Sequence, residues 1–256
     1  MKNIYFSILI LFFASSLHAQ LRYGPEAGMN MSYTAINPTQ GSPITTSMLI
    51  AYRAGGLLDV GISEKVGIQG GLYFSVLGYK YAYSQTVAAQ ASSYSFTDNA
   101  TVTEYFLRLP VNVVFKKYMG PGRLFITVGP FLGYGLNGNV KGKYSISTTA
   151  NGQTQSSDSN YKSSFTFKDD SGRSTALDYG ICASIGYEIP MGFFIRAGYE
   201  LSLAGVSAIS GMGTQTNSCF TISLGYLFVH NFKNARFNLD SRNKYLPKPY
   251  NHLVFP

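Results

Sequence analysis

The chain is poor in charge, tryptophan, cysteine and histidine, and it has no long apolar run beyond its first residues. Charged residues make up 12% of the 256 positions, whereas soluble domains average about 25%. The lack of a second long apolar run excludes a membrane-spanning helix after residue 19, because such a helix needs about 20 consecutive apolar residues. With two cysteines and three histidines, no zinc-type ligand cluster is present, and we expect neither metal nor cofactor.

The first 19 residues have the features of an export signal. Lys2 precedes an apolar run over residues 4–14, and small residues lead to Ala19. A basic start, a short apolar core and a small residue before the cut are typical of a secretory signal peptide. We predict cleavage after Ala19, with no cysteine following for a lipid anchor. An uncleaved anchor helix is the alternative, but the run is short for a bilayer span.

The chain does contain many segments in which polar and apolar side chains alternate. Eight runs of roughly ten or more residues place polar and apolar side chains in turn, and long polar links alternate with short ones. This pattern is typical of a transmembrane β-barrel. The predicted strands are residues 23–33, 48–59, 65–83, 101–118, 123–140, 175–188, 193–204 and 217–229. We predict a loop over residues 84–100, and strands extending past the membrane over residues 141–174 with a tip near Asn151 and Gly152.

The fold class is therefore all-β: an eight-stranded, antiparallel, up-and-down barrel over residues 20–229. Short turns stay in the periplasm in such barrels and long loops lie outside, so both termini are expected in the periplasm. A soluble barrel would turn its apolar face inward. That arrangement would bury the charged face in a dry core, which is costly.

The polar face predicts a charged interior. Both signs occur in the set Glu26, Arg53, Asp59, Glu104, Arg108, Lys116, Asp178, Glu188, Arg196 and Glu200. Eight strands leave an interior just wide enough for side chains to fill. We therefore expect a salt-bridged plug, and a narrow path for ions or small solutes is the alternative.

An enzyme is the third possibility, and the residues disfavour it. No histidine lies in the predicted barrel or its outer loops, which excludes a Ser–His site there. A carboxylate site on Glu104 and Asp178 remains conceivable, but lumen carboxylates are usually structural. Cys182 and Cys219 face inward with one strand between them, about 9–10 Å apart. That separation is too long for a disulfide, so we expect two free buried thiols.

Residues 230–256 form a basic, proline-containing tail. The net charge is +8, and much of it lies here. The tail is expected to be a flexible periplasmic extension, or a docking peptide for a partner protein. Nucleic acid is not expected to bind an exported chain without a recognition motif. The basic residues of the tail are Lys233, Arg236, Arg242, Lys244 and Lys248, against Asp240.

Four segments resemble one family of barrels. They are residues 27–32 (AGMNMS), 107–111 (LRLPV), 128–134 (VGPFLGY) and 223–228 (SLGYLF). They are similar to strands of the PorT-like, porin-family outer-membrane β-barrel domain of Bacteroidota, and the resemblance covers residues 23–229. It implies an eight-stranded outer-membrane barrel, whose namesake acts in protein secretion. No motif carries that role to this chain, and the tail departs from the family pattern.

The sequence thus predicts a non-enzymatic outer-membrane scaffold or interaction component, with secretion or envelope assembly as the processes it would serve. Its partners would be outer-membrane lipid and a periplasmic or outer-membrane protein bound through the tail or the external loops. A small porin-like channel is the alternative function, and a membrane enzyme comes third.

Overall fold

The protein forms one antiparallel sheet closed into a ring. The computed structural model describes residues 20–36, 44–89, 92–167, 176–204 and 215–229. The predicted signal peptide 1–19 and tail 230–256 lie outside these described residues. The strands are β1 Gln20–Ile36, β2 Ile44–Gly61, β3 Val66–Ala89, β4 Ser92–Met119, β5 Gly122–Ala150, β6 Gln153–Phe165, β7 Leu177–Glu188, β8 Phe193–Ser202, β9 Gln215–Tyr226 and β10 Phe228–Val229.

Eight strands make the ring, which confirms the predicted up-and-down barrel. The order is β1-β2-β3-β4-β5-β7-β8-β9, and β9 pairs with β1 to close it. Every pairing is antiparallel. Leu227 interrupts the last strand, after which β10 continues the pairing with β1. Closure matters because it leaves no unpaired edge in the ring.

Side-chain alternation gives the ring an apolar outside and a polar inside. On β7, outward Ile181 and Ile185 are about half exposed, whereas inward Asp178 is fully buried. Tyrosines lie near both ends of the outward face, including Tyr118 toward the short turns and Tyr33 toward the long links. Such aromatic belts mark the two interfaces of a membrane barrel. No helix long and apolar enough to cross a membrane occurs in the described ranges.

Tight turns join the strands at one end. β4 and β5 are linked through Gly120, with φ of 62°, and β7 and β8 through Gly192, with φ of 96°. Positive φ is a conformation that glycine adopts without steric cost. The two turn sequences, Met-Gly-Pro-Gly and Ile-Pro-Met-Gly, lie where short turns are predicted.

The predicted loop over residues 84–100 is wrong, because strand structure continues through almost all of it. β3 reaches Ala89 and β4 begins at Ser92, in unbroken register from Tyr83↔Asp98 to Ala89↔Ser92. β5 runs to Ala150 and turns at Asn151 and Gly152, both with positive φ, into β6. Asn-Gly with positive φ at both positions is the favoured two-residue hairpin turn. The strand extension predicted over residues 141–174 is confirmed as far as Phe165.

These extensions form a four-stranded arm at the end of the ring opposite the tight turns, and at its base β3 still pairs with β2 as far as Ile44↔Tyr83. We call the β3–β6 arm residues 79–89 of β3, 92–102 of β4, 140–150 of β5 and all of β6. Among described strands β6 pairs with β5 alone. The arm therefore ends in an edge strand whose outer backbone groups face away from the sheet.

Candidate functional site in the barrel interior

All ten polar residues singled out from the sequence point into the ring. Nine are buried outright, and the Lys116 side chain is 7% exposed. The alternation of a strand decides which face each residue takes. It does not decide which residues meet, because that depends on how the strands are staggered around the barrel.

The central cluster is built around Glu200 on β8. Its two carboxylate oxygens accept from Arg53 on β2, at 2.6 Å, and from Arg108 on β4. Arg108 also donates to Asp178 on β7 at 2.6 Å, and Asp178 accepts from Ser202. The guanidinium of Arg53 stacks over the Tyr73 ring at 4.1 Å. The Glu200 carboxylate thus connects β8 with β2 and β4 across the interior.

A second group centres on Glu26 of β1. One oxygen of this carboxylate accepts from Tyr73 at 2.7 Å and the other from Ser223 at 2.5 Å. Arg196 forms an ion pair with Glu26 at 3.3 Å and lies over the Phe194 ring at 5.2 Å. Glu26 therefore has charge and hydrogen-bond partners from three other strands.

The third group closes the short-turn end. Asp59 receives Lys116 at 2.6 Å and Arg22 at 3.0 Å. Arg22 also reaches Glu188 at 2.5 Å, and Arg123 binds the same Glu188 oxygen at 2.6 Å. Sequence reasoning missed Arg22 because the first strand was predicted to begin at Tyr23. Arg22 is an even number of residues from Glu26 and so takes the same inward face of the strand. Arg123 is the first residue of the predicted fifth strand, where no face was assigned.

With these two arginines the described interior is electrically balanced. Six carboxylates face six cations. Burying a charge without a partner is costly, and five of the six carboxylates have a cation within ion-pair distance. The carboxylates are Glu26, Asp59, Glu104, Asp178, Glu188 and Glu200, and the cations are Arg22, Arg53, Arg108, Lys116, Arg123 and Arg196.

Glu104 is the exception to pairing. It is 1% exposed, yet among the described residues its hydrogen-bond partner is the Asn217 amide, which donates to it at 3.5 Å. No Lys or Arg nitrogen in the described ranges forms an ion pair with it. Glu104 and Asp178, the two carboxylates considered for catalysis, have separate hydrogen-bond partners. No histidine lies in the described part of the chain, and no group of three potential metal ligands occurs there.

Apolar side chains separate and cap these charged groups. Toward the short turns, Phe125 and Phe194 meet edge-on with centroids 6.0 Å apart, packed with Leu57, Val114 and Leu227. Toward the arm, Phe106 and Phe167 lie 5.2 Å apart and pack with Leu77, Ala204 and Cys219. Cys182 and Cys219 are free and buried, as the strand count predicts.

The arm has a polar contact of its own. Tyr161 on β6 and Tyr81 on β3 approach with hydroxyls 3.0 Å apart, and both donate to Asp98 on β4. Partial burial, together with the Tyr81 hydroxyl and the Asp98 carboxylate, raises the pKa of Tyr161. Partial burial and the Asp98 carboxylate also raise the pKa of Tyr81, against the opposing effect of its hydrogen bond with Tyr161. This contact connects the first and last strands of the arm.

Comparison with solved structures gives matches among outer-membrane proteins. The attachment invasion locus protein Ail of Yersinia pestis is 12% identical with a TM-score of 0.32, covering 82% of this chain and 99% of its own. CarO of Acinetobacter baumannii is 10% identical, with a TM-score of 0.36 and coverages of 79% and 97%. OprG of Pseudomonas aeruginosa is 8% identical, with a TM-score of 0.31 and coverages of 83% and 97%. No curated protein matches the chain.

The family comparison is more direct. The model of the outer membrane protein β-barrel domain matches residues 13–207, which is most of the chain. The closed antiparallel ring, its apolar exterior and its charged interior agree with that match. The chain therefore belongs to the outer membrane protein β-barrel domain family and is an integral protein of the outer membrane.

Proposed function

We propose that the protein is a closed, non-enzymatic membrane scaffold that presents the β3–β6 arm outside the cell. The observation that carries the proposal is the filled interior. Charged clusters centred on Glu200, Glu26 and Asp59, together with two apolar clusters, occupy the barrel along its length. Each cluster joins strands from different sides of the ring, so together they act as a plug rather than as the lining of a pore.

Conductance tests the closed barrel against the small-channel alternative. The full-length protein is reconstituted into planar bilayers beside an open porin as positive control. We expect no reproducible current steps, because eight-stranded rings are just wide enough for side chains to fill. Reproducible ion-selective steps that change in the variant Arg108→Ser would reject the plug and establish a channel.

The proposed orientation places both termini and the short turns in the periplasm. It is supported by the contrast between tight turns at one end and the long arm at the other, which follows the rule for outer-membrane barrels. A cysteine introduced at Asn151 should react with a membrane-impermeant maleimide on intact cells. A cysteine introduced at Ser63 should react only after the outer membrane is opened. The reverse pattern would invert the orientation.

The proposed work is interaction with a protein partner, through the arm or through residues 230–256. The resemblance to PorT-like barrels makes secretion and envelope assembly the first processes to test. Tagged full-length protein is captured from envelopes beside two variants, one without residues 230–256 and one with residues 143–160 replaced by Asn-Gly. Loss of a partner in one variant assigns its docking segment. Identical partners in all three would remove both segments from the proposal.

A further inference from the structure

Three lysines lie in one row across the outward face of the β3–β6 arm. The register runs Lys80↔Thr101, Thr101↔Lys141 and Lys141↔Lys162. Directly opposite residues of a sheet point to the same face. All three lysines are exposed, whereas the sequence neighbours Tyr79, Tyr81 and Val140 are buried on the inner face. We call Lys80, Lys141 and Lys162 the lysine row.

The row has no countercharge within the described chain. Asp158 is the one carboxylate on this face of the described arm, and it is bound to Lys143 at 2.7 Å. The Lys80, Lys141 and Lys162 ammonium groups form no ion pair or hydrogen bond with other described residues. Lys141 and Lys162 stand directly opposite each other, and like charges in that position destabilise a sheet. An anion from outside the chain would remove this repulsion.

The position of the row identifies the source of that anion. Tyr105 belongs to the outward aromatic residues at the arm end of the barrel, where it stacks on Phe74 with centroids 6.0 Å apart. Thr101 lies four residues before Tyr105 on the same strand, on the side of the arm. Four residues span roughly 13 Å along a strand, or roughly 10 Å along the membrane normal at the usual barrel tilt. Lysine stems can reach back over part of this distance, which brings the ammonium groups to the lipid headgroups.

We propose that the lysine row binds the phosphate groups of phosphorylated glycolipid in the outer leaflet. Lysine is a point-charge ligand for phosphate, and clusters of basic residues at a membrane surface recognise anionic headgroups. The assignment to the outer leaflet rests on the proposed orientation of the barrel. The binding chemistry depends on the row alone.

Edge protection is the competing explanation for one of these residues. Lysine on an edge strand discourages pairing with another chain, and Lys162 lies on such a strand. Lys141 and Lys80 lie on strands that are paired on both sides at those positions. Edge protection therefore leaves two of the three lysines unexplained, and headgroup binding accounts for all three.

Native mass spectrometry of the full-length protein in neutral detergent tests the proposal. The probes are bisphosphorylated lipid A, the same lipid enzymatically freed of phosphate, and inorganic phosphate. The variants are Lys80→Gln/Lys141→Gln/Lys162→Gln and the corresponding triple arginine substitution. The control Lys65→Gln/Lys117→Gln removes exposed lysines near the short turns. Retained heat-modifiable migration in gels establishes that each variant is folded.

We expect the triple glutamine variant to lose roughly 100-fold in affinity for bisphosphorylated lipid A, since each lysine contributes about fivefold near an anionic surface. The arginine variant and the short-turn control should bind as the wild type does, and the phosphate-free lipid should bind weakly to all. Equal loss in the control, equal binding of the phosphate-free lipid, or equal affinity for inorganic phosphate would each overturn the proposal. Labelling at Asn151 separately tests orientation, so a misplaced arm and a non-binding row are distinguishable.

Discussion

Arg108 on β4 and Glu200 on β8 form an ion pair across the barrel interior, although 92 residues separate them along the chain. Glu200 holds Arg53 with its other oxygen, and Arg108 holds Asp178 with its other terminal nitrogen. These four side chains connect β2, β4, β7 and β8. Strands that are not neighbours in the ring are thereby connected through the barrel interior.

Removal of Arg108 should be among the most damaging changes in the barrel. The variant Arg108→Met leaves Glu200 and Asp178 buried with less positive charge, and breaking one side of a buried pair costs about 3–5 kcal/mol. The free energy of unfolding is measured by urea titration in lipid vesicles. Lys65→Met, at an exposed turn position, is the control and should change it by less than about 0.5 kcal/mol. Equal effects would mean that the central cluster does not stabilise the fold.

Period-two alternation alone predicts which residues line the interior, because each strand residue must take one of two faces. It does not pair them: Glu200 meets Arg53 and Arg108 only through the stagger of the ring. Nor does it reveal the arm over residues 84–100, where the short alternation at Tyr94 and Phe96 lies within a long run of small and polar residues. Such a composition is equally typical of a loop. Pairing with neighbouring strands, which a single segment does not encode, makes it sheet.

Glu104 should respond in the opposite way from Glu200. The variant Glu104→Gln keeps an oxygen that can accept from Asn217 and removes a buried charge that has no ion pair among the described residues. We expect unchanged or increased stability, by about 1 kcal/mol. Glu200→Gln, which leaves two arginines short of a countercharge, should cost several kcal/mol. Both are read from urea unfolding in vesicles. A loss in Glu104→Gln as large as in Glu200→Gln would point to an ionised role for Glu104.

The arm should loosen at alkaline pH through Tyr161. The folded pKa of its hydroxyl is raised above the ordinary value, which is about 10. Its contribution to arm stability is therefore complete below about pH 10 and is lost as pH rises from there toward the folded pKa. Cleavage of the arm by an alkaline-stable protease should accelerate above pH 10 in the wild type. Tyr161→Phe, which cannot ionise, should reduce that acceleration, whereas Tyr94→Phe on the same arm should retain it. An unchanged pH profile in Tyr161→Phe would assign the effect elsewhere.

Two glycines provide a matched test of the strand path at the base of the arm. Gly78 has φ of 143°, and a Cβ there would lie 2.0 Å from the Val102 carbonyl oxygen. Gly56 has open space around the same position. Gly78→Ala should cost more than about 2 kcal/mol, because it adds backbone strain to a clash with backbone. Gly56→Ala should be neutral or slightly stabilising, since it restricts only the unfolded chain. Urea unfolding in vesicles measures both, and similar stability of the two variants would show that β3 can follow another path beside β4.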